Sequence, residues 1–289
     1  MLNTLGTDIK MEIVSSIKDL HLVLQPFKKP VFVPTMGNLH DGHLALIHAA
    51  KPLGDVTVSS IFINRLQFLP NEDFDKYPRT WEADCNKLKD AQCDILFSPP
   101  EFELYPQMQT FKISPSEDLS NILEGRYRPG FFTGVCTVVM KLIQIVLSQG
   151  KDNRTLILGE KDYQQLLIVK DMIRQFSMPI EVIGIPTIRE KTGLALSSRN
   201  QYLNEKNKHK ASELFFTLQK ISQSIKAGAT NFLDIETDAI AELKSKGWEP
   251  DYMCIRNAEN LKIPQLNEPL IVLGAARLSN TRLIDNLRI

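Results

Sequence analysis

The chain lacks an excess of charge of either sign. It contains 34 Lys and Arg residues against 34 Asp and Glu residues, so its formal net charge at pH 7 is zero. Proteins that bind nucleic acid generally, or that lie on a membrane surface, need a basic excess. A short basic run at 206–210 is typical of a solvated helix face. We therefore expect neither nucleic acid nor a membrane among the partners of this protein.

Paired cysteines and long apolar runs are also missing. The four cysteines are scattered and form no CxxC motif, which argues against a zinc site or a disulfide framework. Reduced thiols are the usual state in the cytosol, so we expect a cytoplasmic protein. No apolar run approaches the roughly 20 residues that a membrane span requires. Residues 1–8 lack the basic and apolar regions of a signal peptide, and no internal repeat or low-complexity tract is evident.

Short apolar runs alternate with amphipathic stretches over the first two thirds of the chain. Strands are predicted at 31–33, 55–63, 94–97, 155–158 and 180–185, with helices at 80–91, 135–147 and 163–176. This alternation is typical of a parallel sheet with crossover helices, whose ligands bind beyond the carboxyl ends of the strands. Beyond residue 185 the pattern changes to helices near 208–226 and 232–246, followed by strands at 251–256 and 270–277. We predict an α/β domain at 1–185 and a smaller α+β domain at 186–289.

The segment 31–43 carries the most informative pattern, in which a short apolar strand is followed by a turn and two histidines. Gly37 allows a tight turn, and a helical pattern begins soon afterwards, so His40 and His43 lie where the strand gives way to a helix. The N-terminus of a helix binds anions, and Gly42 would let a base or a phosphate approach the backbone. Imidazole N–H groups at this position could stabilise charge on a phosphate. The motif indicates nucleotide chemistry, with a histidine metal pair or ordinary helix-cap residues as the alternatives.

A second candidate site follows the predicted strand at 155–158. Gly159 permits close approach of a ligand, and Lys161 places a cation near a helix N-terminus, where phosphate oxygens would lie. Asp162 either caps that helix or acts as a ligand. Gln165 lies one helical turn further on and can both donate and accept hydrogen bonds. This segment therefore also favours an anionic ligand.

Other polar segments have both a functional and an ordinary interpretation. The hydroxyls and guanidinium at 197–199 suit triphosphate oxygens, but alone they would be a polar surface loop. Asn64 and Gln67 place two amides after a strand, where amides recognise hydroxyl or carboxylate groups or shape a turn. A Gly- and Arg-rich loop at 124–134 is a candidate for closing the site, whereas the charged loop at 73–79 is typical of solvated surface.

Five motifs together resemble those of the pantothenate synthetase (pantoate–β-alanine ligase) family, in the same order and over nearly the whole chain. They are Pro34 to His43, Ser60 to Phe68, Gly159 to Gln165, Gly193 to Asn200 and Thr281 to Asn286. The resemblance implies a Rossmann-like fold of the HIGH-type nucleotidyltransferases, with a parallel sheet at 1–185 that binds ATP and pantoate. It also implies that the C-terminal α+β domain at 186–289 is a lid.

The resemblance further implies a two-step ligase reaction that makes a precursor of coenzyme A. In the first step the carboxylate of pantoate attacks the α-phosphate of ATP, which releases pyrophosphate and leaves a pantoyl adenylate. In the second step the amine of β-alanine attacks this adenylate, giving pantothenate and AMP. Mg²⁺ would accompany the triphosphate through phosphate and water oxygens, without a dedicated protein metal site. Members of this family form homodimers.

Site residues are likewise implied by the resemblance, residue by residue. His43 would be the general acid, with His40 and Lys161 acting at the phosphates, and Asn64, Gln67 and Gln165 would bind pantoate. The implied ATP-binding residues are Met36, Gly37, Asn38, Leu39, His40, Asp41, Gly42, His43, Gly159, Glu160, Lys161, Asp162, Ile188, Leu196, Ser197, Ser198 and Arg199.

The chain departs from the family's pattern at four positions. Arg65 stands where the family usually has proline, Phe131 and Thr133 replace a histidine and an aspartate, and Ser279 replaces a glycine. None of these positions is assigned to ATP or pantoate, so the departures concern loop geometry more than the class of reaction.

Two other functions fit part of this pattern. One is a different nucleotidyltransferase with the same histidine motif, acting on phosphopantetheine or nicotinamide mononucleotide; Gln67, Gln165 and the Ser-Ser-Arg-Asn segment count against it. The other is a nucleotide-binding regulatory module without catalysis. The presence of both histidines and Lys161 counts against that module.

Overall fold

The computed structural model describes residues 11–70, 72, 74–265 and 267–289. The prediction that residues 1–8 form no signal peptide and the prediction of solvated surface at Asp73 concern residues outside the described ones. Within the described residues the strands are β1 (Glu12–Val14), β2 (Pro30–Thr35), β3 (Val56–Ile61), β4 (Ile95–Phe97), β5 (Arg154–Gly159), β6 (Ile180–Ile185), β7 (Glu249–Asn257), β8 (Leu270–Leu278) and β9 (Thr281–Arg288). The α-helices are α1 (Ile17–Leu24), α2 (Asp41–Ala50), α3 (Trp81–Asp90), α4 (Glu101–Leu104), α5 (Glu117–Ser120), α6 (Glu124–Tyr127), α7 (Phe131–Val146), α8 (Tyr163–Gln175), α9 (Glu205–Ala211), α10 (Glu213–Lys226) and α11 (Phe232–Ser245).

Six strands form one sheet in the order β1-β4-β3-β2-β5-β6. The pairs β1–β4, β4–β3, β3–β2 and β2–β5 are parallel, as the strand–helix alternation predicts. From β2 the chain continues to β3 on one side and later returns as β5 on the other, so the strand order reverses beside β2. Ligands of open α/β sheets bind at such a reversal, beyond the carboxyl ends of the strands. The segment after β2 contains the histidine motif.

The centre of this sheet is buried on both faces. Val31, Phe32 and Val33 of β2 are at most 1% exposed, which explains why this strand is a continuous apolar run rather than an alternating one. Val31 and Val33 share a core cluster with Ile47 of α2 and Leu88 of α3. These contacts pack α2 and α3 against β2.

A second sheet contains β7, β8 and β9 in that order, with antiparallel pairing. Its core includes Leu218 of α10, Leu243 of α11, Trp248 and Val272. This antiparallel sheet with two helices is the α+β arrangement predicted for the C-terminal part of the chain.

Several predicted elements differ from the observed ones. The helix predicted at 208–226 is interrupted at Ser212 and forms α9 and α10. The predicted loop at 124–134 is wrong, because it contains α6 and the first turn of α7. Glycine suggested a loop there, but Phe131 and Phe132 are buried and begin α7 four residues before the prediction. Strand β9 was recognised only as a motif, since its polar residues Thr281, Asp285 and Asn286 obscure the apolar pattern.

Two compact units are distinguished by their internal contacts. Unit 1 comprises the described residues up to Lys112 together with Thr137–Leu158 and Ser177–Ile185. Unit 2 comprises Ile113–Cys136, Gly159–Phe176 and Pro186–Ile289. The predicted domains, 1–185 and 186–289, share the boundary after residue 185 with these units, but two earlier segments group with unit 2. The domain division itself stays a prediction.

Candidate functional site

In unit 1, the chain turns sharply between β2 and α2. Gly37 has a φ of 79° and Asn38 a φ of 49°, which is the left-handed region that glycine and asparagine tolerate best. His40 is the N-cap residue of α2, with an extended backbone, and His43 lies in the first turn. The two imidazole centroids are 4.1 Å apart. The structure therefore brings both predicted catalytic histidines together at a helix N-terminus.

The tautomer of His43 follows from a hydrogen bond within this turn. The backbone N–H of His40 donates to Nδ1 of His43 at 3.3 Å. Because Nδ1 accepts, the proton of a neutral His43 ring is assigned to Nε2. A hydrogen-bond donor or general acid at this residue would therefore act through Nε2.

The turn that carries the histidines is held by Asp84 of α3, a residue that the sequence analysis missed. Its carboxylate accepts the backbone N–H groups of Asn38 and Leu39, both at 2.8 Å, and the hydroxyl of Thr80 at 3.1 Å. Asp84 is 1% exposed. The available signal was an acidic residue on the buried face of an amphipathic helix, next to Cys85, but nothing local indicates a partner 45 residues earlier.

The amides after β3 form a chain of contacts with the histidine segment. Asn64 Nδ2 donates to Oε1 of Gln67 at 3.1 Å, and Gln67 Nε2 points at Sδ of Met36 at 3.1 Å. Asn64 is 1% exposed, and its amide oxygen accepts the hydroxyl of Tyr105 at 2.9 Å. The structure thus places Gln67 beside the first predicted ATP-binding residue, and the buried Asn64 orients Gln67.

In unit 2, the segment after β5 forms a single 3-10 turn, Glu160–Asp162, before α8 begins. Asp162 occupies the N-cap position of α8, but its side chain makes no capping hydrogen bond, so the capping alternative is not observed. Gly159 has a φ of −79°, and a Cβ added there would meet no atom within 4 Å. The fold of the described residues therefore does not require glycine at this position.

Lys161 and Gln165 line the same cavity in unit 2, together with Arg128, Phe131 and Asn286. Its lining also includes the acidic residues Glu124, Asp162 and Asp285, so the cationic and amide groups that suit carboxylate or phosphate oxygens lie among acidic side chains. Phe131 is 8% exposed, and the guanidinium carbon of Arg128 lies 3.6 Å from the centroid of its ring. At the position of the family's usual histidine, this chain thus has the buried ring of Phe131, which packs against the guanidinium of Arg128.

The predicted ATP-binding residues between 188 and 199 lie on a short antiparallel hairpin. The backbone N–H of Leu196 donates to the carbonyl of Ile188 at 3.0 Å, and Arg189 is bridged to Ala195. Ser197 then caps the short 3-10 helix Ser198–Tyr202, because its hydroxyl accepts the N–H of Arg199 at 3.3 Å. The hairpin therefore brings Ile188 and Leu196 together and leads directly into the Ser-Ser-Arg segment.

The predicted site residues are divided between the two units. Unit 1 contains Met36 to His43, Asn64 and Gln67, whereas unit 2 contains Gly159 to Asp162, Gln165, Ile188 and Leu196 to Arg199. Their roles in binding or catalysis stay predictions.

Two of the departures from the family pattern have local structural partners. The guanidinium of Arg65 pairs with Glu101 at 3.5 Å and lies 4.0 Å from the centroid of the Phe74 ring. Ser279 adopts a φ of 53°, where glycine is preferred, and its hydroxyl accepts a hydrogen bond from Asn207 at 3.1 Å. These contacts accommodate both replacements.

The described residues contain no group of three or more His, Cys, Asp or Glu side chains arranged to hold a metal ion. Across the same residues, no helix is long and apolar enough to cross a membrane.

A family model described as pantoate-beta-alanine ligase matches residues 12–288. Proteins named pantothenate synthetase from Verminephrobacter eiseniae (strain EF01-2) and Paracidovorax citrulli (strain AAC00-1) are each 51% identical to this chain over 280 residues. Each match covers 96% of this chain and 99% of the relative.

Solved structures extend this similarity to the fold. The crystal structure of pantothenate synthetase from Thermus thermophilus has a TM-score of 0.89 at 38% identity, covering 96% of this chain and 99% of that one. Pantoate-beta-alanine ligase from Francisella tularensis, complexed with beta-gamma ATP and beta-alanine, has a TM-score of 0.77 at 35% identity. That match covers 96% of this chain and 98% of the other. The chain therefore belongs to the pantoate–β-alanine ligase family.

Proposed function

We propose that this protein catalyses the ATP-dependent condensation of (R)-pantoate with β-alanine, giving pantothenate, AMP and pyrophosphate. The observation that carries the proposal is the family match over residues 12–288, combined with the paired histidines at the N-terminus of α2. The Francisella relative was crystallised with beta-gamma ATP and beta-alanine, two compounds that fit the proposed substrates. The product is a precursor of coenzyme A.

The reaction proceeds through a pantoyl adenylate. A carboxylate is a poor acyl donor, because its oxygen is a poor leaving group. Transfer of AMP to the pantoate carboxylate releases pyrophosphate and converts that oxygen into part of a good leaving group. The amine of β-alanine then attacks the acyl carbon, the C–N bond forms, and AMP leaves. ATP is therefore consumed as a substrate rather than retained as a cofactor.

Charge stabilisation at the phosphates is assigned to groups at helix N-termini. His43 acts as the general acid through Nε2, the nitrogen that carries its proton in the neutral ring, and His40 lies beside it. The backbone N–H groups at the start of α2 add a positive field. Lys161, next to the start of α8, supplies a compact cation for phosphate oxygens. Donors aimed at developing charge lower the barrier most when they are already in place.

Pantoate recognition is assigned to Gln67 and Gln165. An amide can donate to a carboxylate and pair with a hydroxyl without adding charge. Gln67 is already oriented by Asn64 and Met36, and Gln165 lines the same cavity as Lys161. Asn64 therefore supports Gln67 in addition to any direct contact with the substrate.

Magnesium fits this assignment as a partner of the triphosphate. Mg²⁺ retains several water ligands and is commonly bound through one or two carboxylates and substrate phosphates. Binding in this mode would place Mg²⁺ mainly on the phosphate and water oxygens. We also propose that the protein acts in the cytoplasm as a homodimer, in line with its free cysteines and its family.

The two-step scheme is tested by exchange of labelled pyrophosphate into ATP. If the adenylate forms before the amine is needed, pantoate and Mg²⁺ should support exchange without β-alanine. Omitting pantoate is the control and should abolish it. Exchange that requires β-alanine would contradict the adenylate intermediate, and absence of pantothenate formation with all substrates present would contradict the proposed function itself.

A further inference from the structure

Strand β9 contains a buried polar pair, Asp285 and Asn286, to which the proposed function gives no role. Asp285 is 5% exposed and Asn286 is 7% exposed. Buried polar side chains are stable only when they are hydrogen-bonded. Consecutive residues of a strand point to opposite faces, so each of the two needs its own partners.

Asn286 directs both N–H groups of its amide at the turn that carries Lys161. Its Nδ2 donates to the carbonyl oxygens of Glu160 and Lys161, both at 2.9 Å. These oxygens belong to the two peptide groups that flank the Cα of Lys161. Because peptide groups are planar, holding both of them restrains φ and ψ of Lys161 and therefore the direction of its Cα–Cβ bond.

Asp285 holds the hairpin that leads to the Ser-Ser-Arg segment. Its carboxylate forms a bidentate pair with Arg189, with Oδ2 to Nη1 at 2.6 Å and Oδ1 to Nη2 at 2.9 Å. Arg189 also donates to the carbonyl of Gly193 at 3.2 Å, and its guanidinium carbon lies 3.7 Å from the centroid of the Phe215 ring. Arg189 thus cannot shift without breaking several contacts, and the hairpin is fixed to β9.

Other contacts between β9 and the start of α8 do not depend on this pair. Arg288 donates to the hydroxyl of Tyr163 at 2.8 Å, and that hydroxyl donates to the carbonyl of Ala258 at 2.7 Å. Loss of the Asn286 amide should therefore disturb the turn at Glu160 and Lys161 while α8 stays in place.

We propose that Asp285 and Asn286 are positioning residues that align the Lys161 turn and the 188–199 hairpin with each other for the triphosphate of ATP. This inference rests on the proposed function, which assigns both segments to ATP. Neither residue needs to touch a substrate. Their effect is to keep the two segments at a fixed separation along one strand.

Asn286→Asp tests the inference with little change of shape. It replaces the two donors by an acceptor, so an oxygen faces the carbonyls of Glu160 and Lys161. A displacement of about 1 Å at a reacting group can cost about a hundredfold in rate, so we expect the pantoate-dependent exchange rate to fall by about tenfold to a hundredfold. The KM for pantoate should change much less. Asn286→Ala, which buries no new charge, should also lower the exchange rate while changing the KM for pantoate much less, and its loss of rate should be smaller than that of Asn286→Asp.

Asn257→Ala is the matched control. Asn257 is a 3%-exposed asparagine of the same sheet, and its amide oxygen accepts the N–H groups of Glu259 and Asn260 rather than contacting the Lys161 turn. It should lower the thermal midpoint while leaving the exchange rate within about twofold of wild type below that midpoint.

A double-mutant cycle with Lys161→Ala separates positioning from a general structural defect. If Asn286 acts through Lys161, Asn286→Asp should cost no more than about threefold when Lys161 is already alanine. Additive losses in the cycle would overturn the inference.

Hydrogen exchange of the backbone around residue 161 tests the inference without measuring activity. The exchange should be faster in Asn286→Ala than in wild type, and unchanged in Asn257→Ala. Unchanged protection in both variants would also overturn the inference. A wild-type protein that forms no pantothenate would instead reject the proposed function, while the hydrogen-exchange comparison would still report on the turn.

Discussion

At the scale of single residues, the structure distinguishes residues that the fold requires from residues that only a bound ligand would require. Gly159 and Gly125 illustrate the difference. A Cβ at Gly159 would meet no atom within 4 Å, whereas a Cβ at Gly125 would lie 1.6 Å from the carbonyl oxygen of Ser120. Both glycines belong to motifs of the sequence, but only Gly125 is required by its own surroundings.

Gly159→Ala is therefore a test of ligand approach. We expect its free energy of unfolding to stay within about 1 kcal/mol of wild type, while the KM for ATP rises because the new methyl group obstructs the ligand. Gly125→Ala should instead lose about 3 kcal/mol or more of stability. Chemical denaturation and steady-state kinetics of the two variants measure these effects. An unchanged KM for ATP in Gly159→Ala would show that no ligand comes close to this backbone.

His43→Ala should reduce turnover through the transition state rather than through folding. Removal of one donor aimed at developing charge typically costs about 3–4 kcal/mol, which corresponds to a loss of roughly a hundredfold to a thousandfold in kcat. His48 lies on the same helix but is exposed, so His48→Ala is the matched control and should retain wild-type turnover. Comparable kcat values for the two variants would reject the role assigned to His43.

At the scale of secondary-structure elements, α3 holds the loop between β2 and α2. Asp84 is a buried acidic residue, and its hydrogen bonds to the N–H groups of Asn38 and Leu39 hold the backbone of the turn, in which Asn38 has a positive φ. The same helix contributes Lys87, whose Nζ donates to the carbonyl of Leu39. The turn that carries the two predicted catalytic histidines is thus held by an element that contributes no predicted site residue.

Asp84→Asn should destabilise the protein and lower turnover together. The amide group that replaces one carboxylate oxygen cannot accept a backbone N–H, and hydrogen bonds to charged groups contribute about 1.5–3 kcal/mol each. We expect a loss of stability in that range and a fall in kcat that persists well below the melting temperature. Asp94→Asn is the control, because Asp94 also accepts a backbone N–H, but that of Thr57 in β3 at 2.7 Å rather than one from the histidine turn. A kcat loss in both variants would point to a general defect of unit 1.

Several elements with a strong hydrophobic period were predicted well, whereas strand β9, with its buried polar residues, was not, and helix α1 was not predicted. Helices α3 and α8 and strand β6 lie within one or two residues of their predicted bounds. Strand β9 was not predicted because Asp285 and Asn286 occupy buried positions that apolar residues usually fill. Their partners, Arg189 and the turn at Glu160, lie 96 and 126 residues away in sequence, so no local pattern identifies those positions as buried.

At the scale of the whole molecule, buried thiols and phenols couple stability to alkaline pH. Burial raises the pKa of both Cys93 and Cys136 to about 12, and burial next to a carboxylate raises the pKa of Tyr105 and Tyr252. The anionic form of each group is therefore favoured in the unfolded chain. Their stabilising contribution is complete below the unfolded pKa values of 9.0 for thiols and 10.0 for phenols, and it is lost as the pH rises through the folded pKa values.

The free energy of unfolding should consequently fall as the pH rises above 9, by about 2 kcal/mol for each buried thiol at about pH 10.5. Lys141, whose pKa is lowered by burial, opposes this trend but is a single group. Urea unfolding at a series of pH values measures the slope, and Cys136→Ala should make it shallower. A slope unaffected by this substitution would contradict the coupling.

The family, the class of reaction and most of the residues assigned to substrates follow from the sequence alone. Motifs such as Pro34 to His43 are contiguous, so the chemistry of a short peptide and the periodicity around it identify them without a fold. Only the tertiary structure decided how these motifs are held: Asp84 fixes the histidine turn, and Asp285 and Asn286 fix the segments around Lys161 and Arg189. The physical reason is that these contacts join a side chain to backbone or charge distant in sequence. Such a pairing costs chain entropy and is offset only when the whole core forms, so it leaves no periodic trace in the sequence.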